Sequence, residues 1–168
     1  MIDYSEESLK TLDRFYQALQ PDIDRLESAH ASKMQCKKGC HACCIDDLVV
    51  FGVEAANIVK HHSALVQNEK PHPKGKCAFL NNEGACRIYD VRPFVCRTQG
   101  LPLKIINQKG NELRDVCPLN LEGVNLNKIP EKQLLHTNPY EEFLARLQLA
   151  IDKGQMERIK LRSLFGKK

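Results

Sequence analysis

The sequence predicts an irregular α+β fold: mainly helical, with two small β-hairpins in a cysteine-rich centre that lies between helical arms. Three observations carry this. Helical periodicity occupies both ends of the chain, all eight cysteines fall between Cys36 and Cys117, and turn residues punctuate that middle stretch at hairpin spacing. The 168 residues suit a single domain covering 1–168, with the cysteine core at about 36–118. Hydrophobic residues make up 42% and charged residues 27%, a balance that excludes disordered and fibrous classes.

Leu9, Leu12, Phe15, Tyr16 and Leu19 mark one face of an N-terminal helix. Pro21 disfavours helical geometry at Gln20, which predicts a break and a second helix carrying Ile23, Leu26 and Ala29. Cys36 to Cys44 reads as a loop, and Glu54 to Gln67 as a helix with Ala55, Ile58, Val59, Leu65 and Val66 as its apolar residues. Cys77–Leu80 and Ala85–Tyr89 read as short strands joined by the turn Asn81-Asn82-Glu83-Gly84. Asp90 can cap a short helix with Pro93 in its first turn. Leu103–Ile106 and Leu113–Cys117 flank Asn107–Asn111 as a second hairpin. Tyr140, Phe143, Leu144, Leu147, Ala150 and Ile151 keep a helical period that Gly154 ends.

The longest apolar run, Leu48 to Val53, is far short of the ~20 residues of a membrane span. The acidic start, Met1 to Glu7, has no apolar h-region. The chain is therefore expected in the cytoplasm, without membrane contact. A reducing compartment does not keep disulfides, so eight thiols there point to metal or redox chemistry. The net charge of +4 counts the thiols as neutral. Eight thiolates on two doubly charged centres would cancel it, so it does not argue for a nucleic-acid partner.

The densest motif is Cys36-Lys37-Lys38-Gly39-Cys40-His41-Ala42-Cys43-Cys44. Two cysteines spaced by two residues can turn both thiolates toward one ion when the loop folds back. Gly39 adopts a positive φ cheaply, and a tight bend aims backbone N–H groups at sulfur. Cys43 and Cys44 have Cα atoms ~3.8 Å apart, closer than the ~4.4–6.8 Å usual for a disulfide. Cys77, Cys86, Cys96 and Cys117 follow at wide intervals and do not form the second close pair of a zinc ribbon. Cys77 and Cys86 flank the first expected hairpin, and Cys117 ends the second.

Cys36-x3-Cys40-x2-Cys43-Cys44, then Cys77-Ala78-Phe79-Leu80, then Cys86-Arg87-Ile88-Tyr89-Asp90-Val91-Arg92-Pro93-Phe94-Val95-Cys96-Arg97 resemble the YkgJ-like cysteine-cluster family of zinc- or iron-chelating proteins. The resemblance runs from about Cys36 to Cys117 and leaves the helical arms outside. It implies a metal centre. Some members of the wider kinship are larger flagellin lysine methylases, so a role as accessory to a protein-modifying enzyme is a further implication.

Both Zn²⁺ and an iron–sulfur cluster take four cysteine thiolates. The adjacent pair suits a polynuclear cluster better than one ion, because successive side chains diverge. The expectation is an iron–sulfur cluster, of 4Fe–4S type, with a redox or electron-transfer role. The alternative is a zinc-binding structural module whose flanking helices recruit a protein partner. Enzyme activity is left open, and no residue is assigned a catalytic role. Cys36, Cys40 and Cys43 share the spacing of radical S-adenosylmethionine enzymes, but the strand–helix alternation of their barrel is missing. Cys40-His41-Ala42-Cys43 lacks the context of a thiol–disulfide exchanger. His41 is expected beside the ligands rather than among them. Arg92 and Arg97 are expected either to offset thiolate charge or to form ordinary ion pairs, as with Asp90. Arg158, Lys160, Arg162, Lys167 and Lys168 read as a solvated basic face or tail.

Overall fold

A computed structural model of the chain describes residues 4–37 and 39–166. Met1 to Asp3, Lys38, Lys167 and Lys168 lie outside the described residues. The elements follow one another as α1 (Glu6–Ala29), β1 (Val49–Phe51), α2 (Gly52–His61), α3 (Ser63–Asn68), α4 (Phe94–Thr98), β2 (Leu103–Ile106), β3 (Glu112–Asp115), β4 (Leu135–His136), α5 (Asn138–Ile151) and β5 (Arg158–Lys160), with short 3-10 turns between. No helix among the described residues is long and apolar enough to cross a membrane.

The helix α1 starts at Ser5, whose hydroxyl accepts the Ser8 N–H at 3.2 Å, and Glu6 and Glu7 complement its positive end. The break expected at Pro21 does not occur: the proline sits inside one continuous helix of 24 residues. A buried stripe runs through it, from Leu9, Leu12, Phe15, Tyr16 and Leu19 to Ile23 and Leu26. An interior proline costs about 3 kcal/mol. Burying Ile23 and Leu26 on the same face returns about 1.5–3 kcal/mol each, so tertiary packing overrides the local preference.

The helix expected over 54–67 divides at His62, which leaves helical geometry at φ −129° and lets α3 turn Val66 into the core. The first expected hairpin shrinks to a single antiparallel bridge between Leu80 and Cys86. Its turn chemistry is right, since Asn81 Oδ1 accepts the N–H groups of Glu83 and Ala85. The flank curls instead of extending, because Leu80 N–H bonds back to the Cys77 carbonyl at 3.1 Å. Asp90 falls in a 3-10 turn, and α4 begins after Pro93. The second hairpin forms as expected, with β2 and β3 antiparallel from Leu103↔Asp115 to Ile106↔Glu112. Two pairings join distant segments: β4 runs parallel to β2, and β5 runs antiparallel to β1. The basic C-terminal residues are therefore partly a strand, in which Arg158 lies over the Phe51 ring.

Two apolar clusters organise the interior. The first packs the α1 stripe against Phe51, Val53, Phe94, Leu101, Leu135 and Leu144. The second gathers Val50, Ala55, Ile58, Phe79, Ile88 and Leu161 together with Cys44, Cys77 and Cys86. Between them α2 supplies residues to both.

Glu54, 4% exposed, ties these parts together. Its carboxylate accepts the N–H of Phe51 at 3.2 Å, the N–H of Phe94 at 2.7 Å and the hydroxyl of Tyr16 at 2.9 Å. One side chain thus joins α1, the start of α2 and the start of α4. Burial raises its pKa, and the three donors oppose that rise. Glu54→Ala would leave three buried donors without an acceptor, at about 1–3 kcal/mol each. The expected loss in urea denaturation is about 3 kcal/mol or more, and a loss no larger than the ~0.5 kcal/mol of an ordinary surface change would contradict this role.

Candidate metal centre

The eight cysteines are free thiols, with Cys77 and Cys117 buried and the other six partly exposed. Seven of them, all but Cys117, line a single cavity of about 690 Å³. They come from four segments: the first loop with Cys36, Cys40, Cys43 and Cys44, then Cys77, Cys86 and the α4 residue Cys96. Among the described residues no three candidate ligands close on one ion-sized point. The thiols form a wall.

Specific contacts bring the segments together. The Cys77 N–H donates to the Cys44 carbonyl at 3.0 Å, which docks the second segment onto the first loop. His41 stands outside the cavity lining and packs on Gly84, where any Cβ would overlap its ring. It thereby seats the first loop on the turn that precedes Cys86, as a neighbour of the candidate ligands.

Arg162 clasps the same region. Its guanidinium pairs with the Asp46 carboxylate and donates to the carbonyls of His72 at 2.7 Å, Lys76 at 2.8 Å and Pro73 at 3.3 Å. Asp46 in turn accepts the Gly75 N–H at 2.9 Å. Asp46 follows Cys44 by two residues and Lys76 precedes Cys77, so one arginine fixes both cysteine segments. It belongs to the basic stretch expected to be solvated, yet its side chain is only 22% exposed.

Arg92 and Arg97 hold the Asp90–Cys96 segment through backbone carbonyls. Arg92 Nε donates to Tyr89 O at 3.0 Å and its guanidinium lies over the Tyr89 ring, while Arg97 donates to Arg92 O and to Asp90 O. For Arg92, charge compensation is the expectation supported: its positive charge adds to the lowering at Cys43 and opposes the rise that burial produces at Cys86 and Cys96. Arg97 bonds the carbonyl of Asp90, where an ion pair had been the alternative.

Burial raises the thiols of Cys77, Cys86 and Cys96. The backbone N–H groups of Phe79 and Ile88, each two residues beyond a cysteine, oppose the rise at Cys77 and Cys86. The touching thiols of Cys43 and Cys44 share a hydrogen bond that favours thiolate at Cys43 and thiol at Cys44. Donor N–H groups and cations aimed at sulfur are what a thiolate ligand set requires. The donor chemistry therefore fits a thiophilic centre, Zn²⁺ or an iron–sulfur cluster.

Cys117 lies behind the wall, against Cys36. Asn120 fixes that junction. It had no sequence signal beyond its place in the turn Cys117-Pro118-Leu119-Asn120, just as nothing in the sequence pairs Arg162 or Glu54 with distant residues. Arg162→Lys keeps the charge but loses the fork that reaches three carbonyls and Asp46 together. The expected cost is about 1–3 kcal/mol in urea denaturation, and a change within ~0.5 kcal/mol would mean that the clasp is idle.

Residues 35–118, half of the chain, match the family described as "Putative zinc- or iron-chelating domain", CxxCxxCC. No match is found among curated proteins or among solved structures. The matched span begins at the residue before Cys36 and ends at the residue after Cys117, and it holds every thiol of the cavity wall. The chain belongs to this zinc- or iron-chelating CxxCxxCC family.

Proposed function

We propose that the chain is a metal-thiolate protein in which thiolates drawn from Cys36, Cys40, Cys43, Cys44, Cys77, Cys86, Cys96 and Cys117 hold an iron–sulfur centre of 4Fe–4S type, and that its role is electron transfer or redox chemistry. One observation carries the reading: seven thiols from four chain segments face one cavity of about 690 Å³. Zn²⁺ and a 4Fe–4S cluster each take four thiolates, so it is the breadth of the wall, seven thiols with no ion-sized point shared by three of them among the described residues, that favours a bulkier polynuclear centre. Such a centre, when bound, supplies one-electron chemistry. The protein's own part is to present the thiolates on one wall, to supply positive charge from Arg92 beside them, and to aim the N–H groups of Phe79 and Ile88 at sulfur.

A second reading has its own support. Cys44, Cys77 and Cys86 pack within the second apolar cluster beside Phe79, Ile88 and Leu161. A zinc ion there would staple that core, and the helices around it would serve a protein partner.

Metal and acid-labile sulfide per chain, measured with the visible spectrum after anaerobic purification, separate the two. Iron with about equal sulfide and a broad visible absorption band is the expected result. Zinc without sulfide or colour would overturn the iron–sulfur reading. In either case Cys86→Ser should lower bound metal and thermal stability together, because binding free energy in such sites is folding free energy. A loss of ~3 kcal/mol lowers Tm by about 6–12 °C at this chain length. Unchanged metal content and Tm would remove Cys86 from the ligand set.

A further inference from the structure

Asn120 is 2% exposed, and every bonding capacity of its side-chain amide is used. Its Oδ1 accepts the N–H groups of Gln35 at 2.7 Å and Cys36 at 3.2 Å. Its Nδ2 donates to the Gly100 carbonyl at 2.6 Å and to the Cys36 sulfur at 3.2 Å. The backbone partners fix which way the amide points. A backbone N–H only donates and a carbonyl only accepts, so the oxygen must face Gln35 and Cys36 and the nitrogen must face Gly100. The second amide hydrogen then has the Cys36 sulfur before it, and that sulfur is the acceptor.

The sulfur is also confined from the Gly100 side. Gly100 adopts φ +103°, and a Cβ there would stand 2.8 Å from the Cys36 sulfur and 3.2 Å from Asn120 Nδ2. Gly100 follows the end of α4 by two residues. The Asn120 N–H closes a turn to the Cys117 carbonyl at 2.8 Å, and the Leu121 N–H bonds the Lys33 carbonyl at 3.0 Å. Three of the four side-chain bonds thus go to backbone groups and join these segments. The fourth goes to a cysteine that lines the cavity. A neutral thiol is a weak acceptor, whereas an ionised acceptor forms a bond about twice as strong as a neutral one. A buried amide hydrogen held on sulfur from three fixed points therefore suits a sulfur that carries charge.

We infer that Asn120 is a positioning residue of the metal centre: its amide N–H holds the Cys36 sulfur in place as a ligand and draws electron density from the bound thiolate. This rests on the metal-thiolate reading above and adds a partner outside the ligand set, of the kind that orients ligands and tunes the metal. Without the bond, the Cys36 sulfur loses its fixed place and competes less well for metal against protons. Its electrons also lie higher, which moves a thiolate-to-metal charge-transfer band to longer wavelength.

Titration of the metal-free full chain with Cd²⁺, a thiophilic probe that gives such a band, tests this. Asn120→Ala removes the donor without adding charge. Asn120→Asp removes the donor and keeps an oxygen for the N–H groups of Gln35 and Cys36. Gln148→Leu is the control, since it deletes another buried amide, one whose partners are Val53, Asp152 and Tyr4. Both Asn120 variants should yield Cd²⁺ to a competing chelator at a concentration about 10–100-fold lower than the wild type, with the band at longer wavelength. The control should lose stability in urea and keep the wild-type band and retention. Wild-type behaviour in both Asn120 variants overturns the inference. So does a change in only one of them, which reports added charge or lost packing, and so does an equal change in the control, which reports general loosening. Should neither Asn120 variant fold, the wild type decides: loaded with an NMR-active cadmium isotope, its Asn120 amide proton should couple to the metal across sulfur, and absence of that coupling overturns the inference. Wild-type protein that gives no thiolate band with Cd²⁺ overturns the metal-thiolate reading instead.

Discussion

A buried carboxylate decides how the halves of this protein meet. Glu54 caps α2 through the Phe51 N–H, starts α4 through the Phe94 N–H and takes the Tyr16 hydroxyl from α1. A buried charge must be matched by donors aimed at it, and here each donor belongs to a different element. The angle between α1, α2 and α4 is therefore set by polar geometry, and the apolar clusters fill around it. Through α4 the same carboxylate sets where Cys96 faces the cavity. Gln148 repeats the device on a smaller scale: wholly buried, it accepts the Val53 N–H from α2 at 2.8 Å and donates to Asp152 beyond α5.

The cysteine wall is built on that frame by clasps of one kind. Arg162, Arg92, Arg97 and Asn120 each reach several backbone groups at once, and each fixes a segment with little regular structure. Irregular backbone leaves carbonyls and N–H groups that no ladder satisfies. Side chains with several donors or acceptors meet that need and stiffen the loops. In the same arrangement they bring positive charge and N–H groups to sulfur. Rigidity and thiolate stabilisation here have one source.

Much of this was readable from the sequence, and the unread part has a physical pattern. The helices α1 and α5 and the β2–β3 hairpin were legible because periodicity and turn chemistry act over a few residues. The metal-binding character was legible from Cys36 to Cys44 alone. The break expected at Pro21 failed because the buried stripe on either side outweighs a local cost. The first hairpin failed because Leu80 N–H found its partner within its own segment. The pairing of β1 with β5, the Arg162 clasp and the Asn120 junction could not be read. Each joins residues about 80 to 115 positions apart by hydrogen bonds that leave no periodic trace.

The β1–β5 ladder also bears on the time course of folding. It pairs Val49 with Lys160, about 110 residues apart, and places Leu161 on the cavity wall. Closing a loop of that length carries an entropic penalty that must be met before its contacts repay it, and pairings of such separation form slowly. The first loop and its four thiols thus stand in an unfinished cavity during most of the search for the native state. In that interval the thiols are open to solvent, to oxidants and to stray metal ions. Once β5 docks, Leu161 completes the lining and the same side chains stand on a rigid frame.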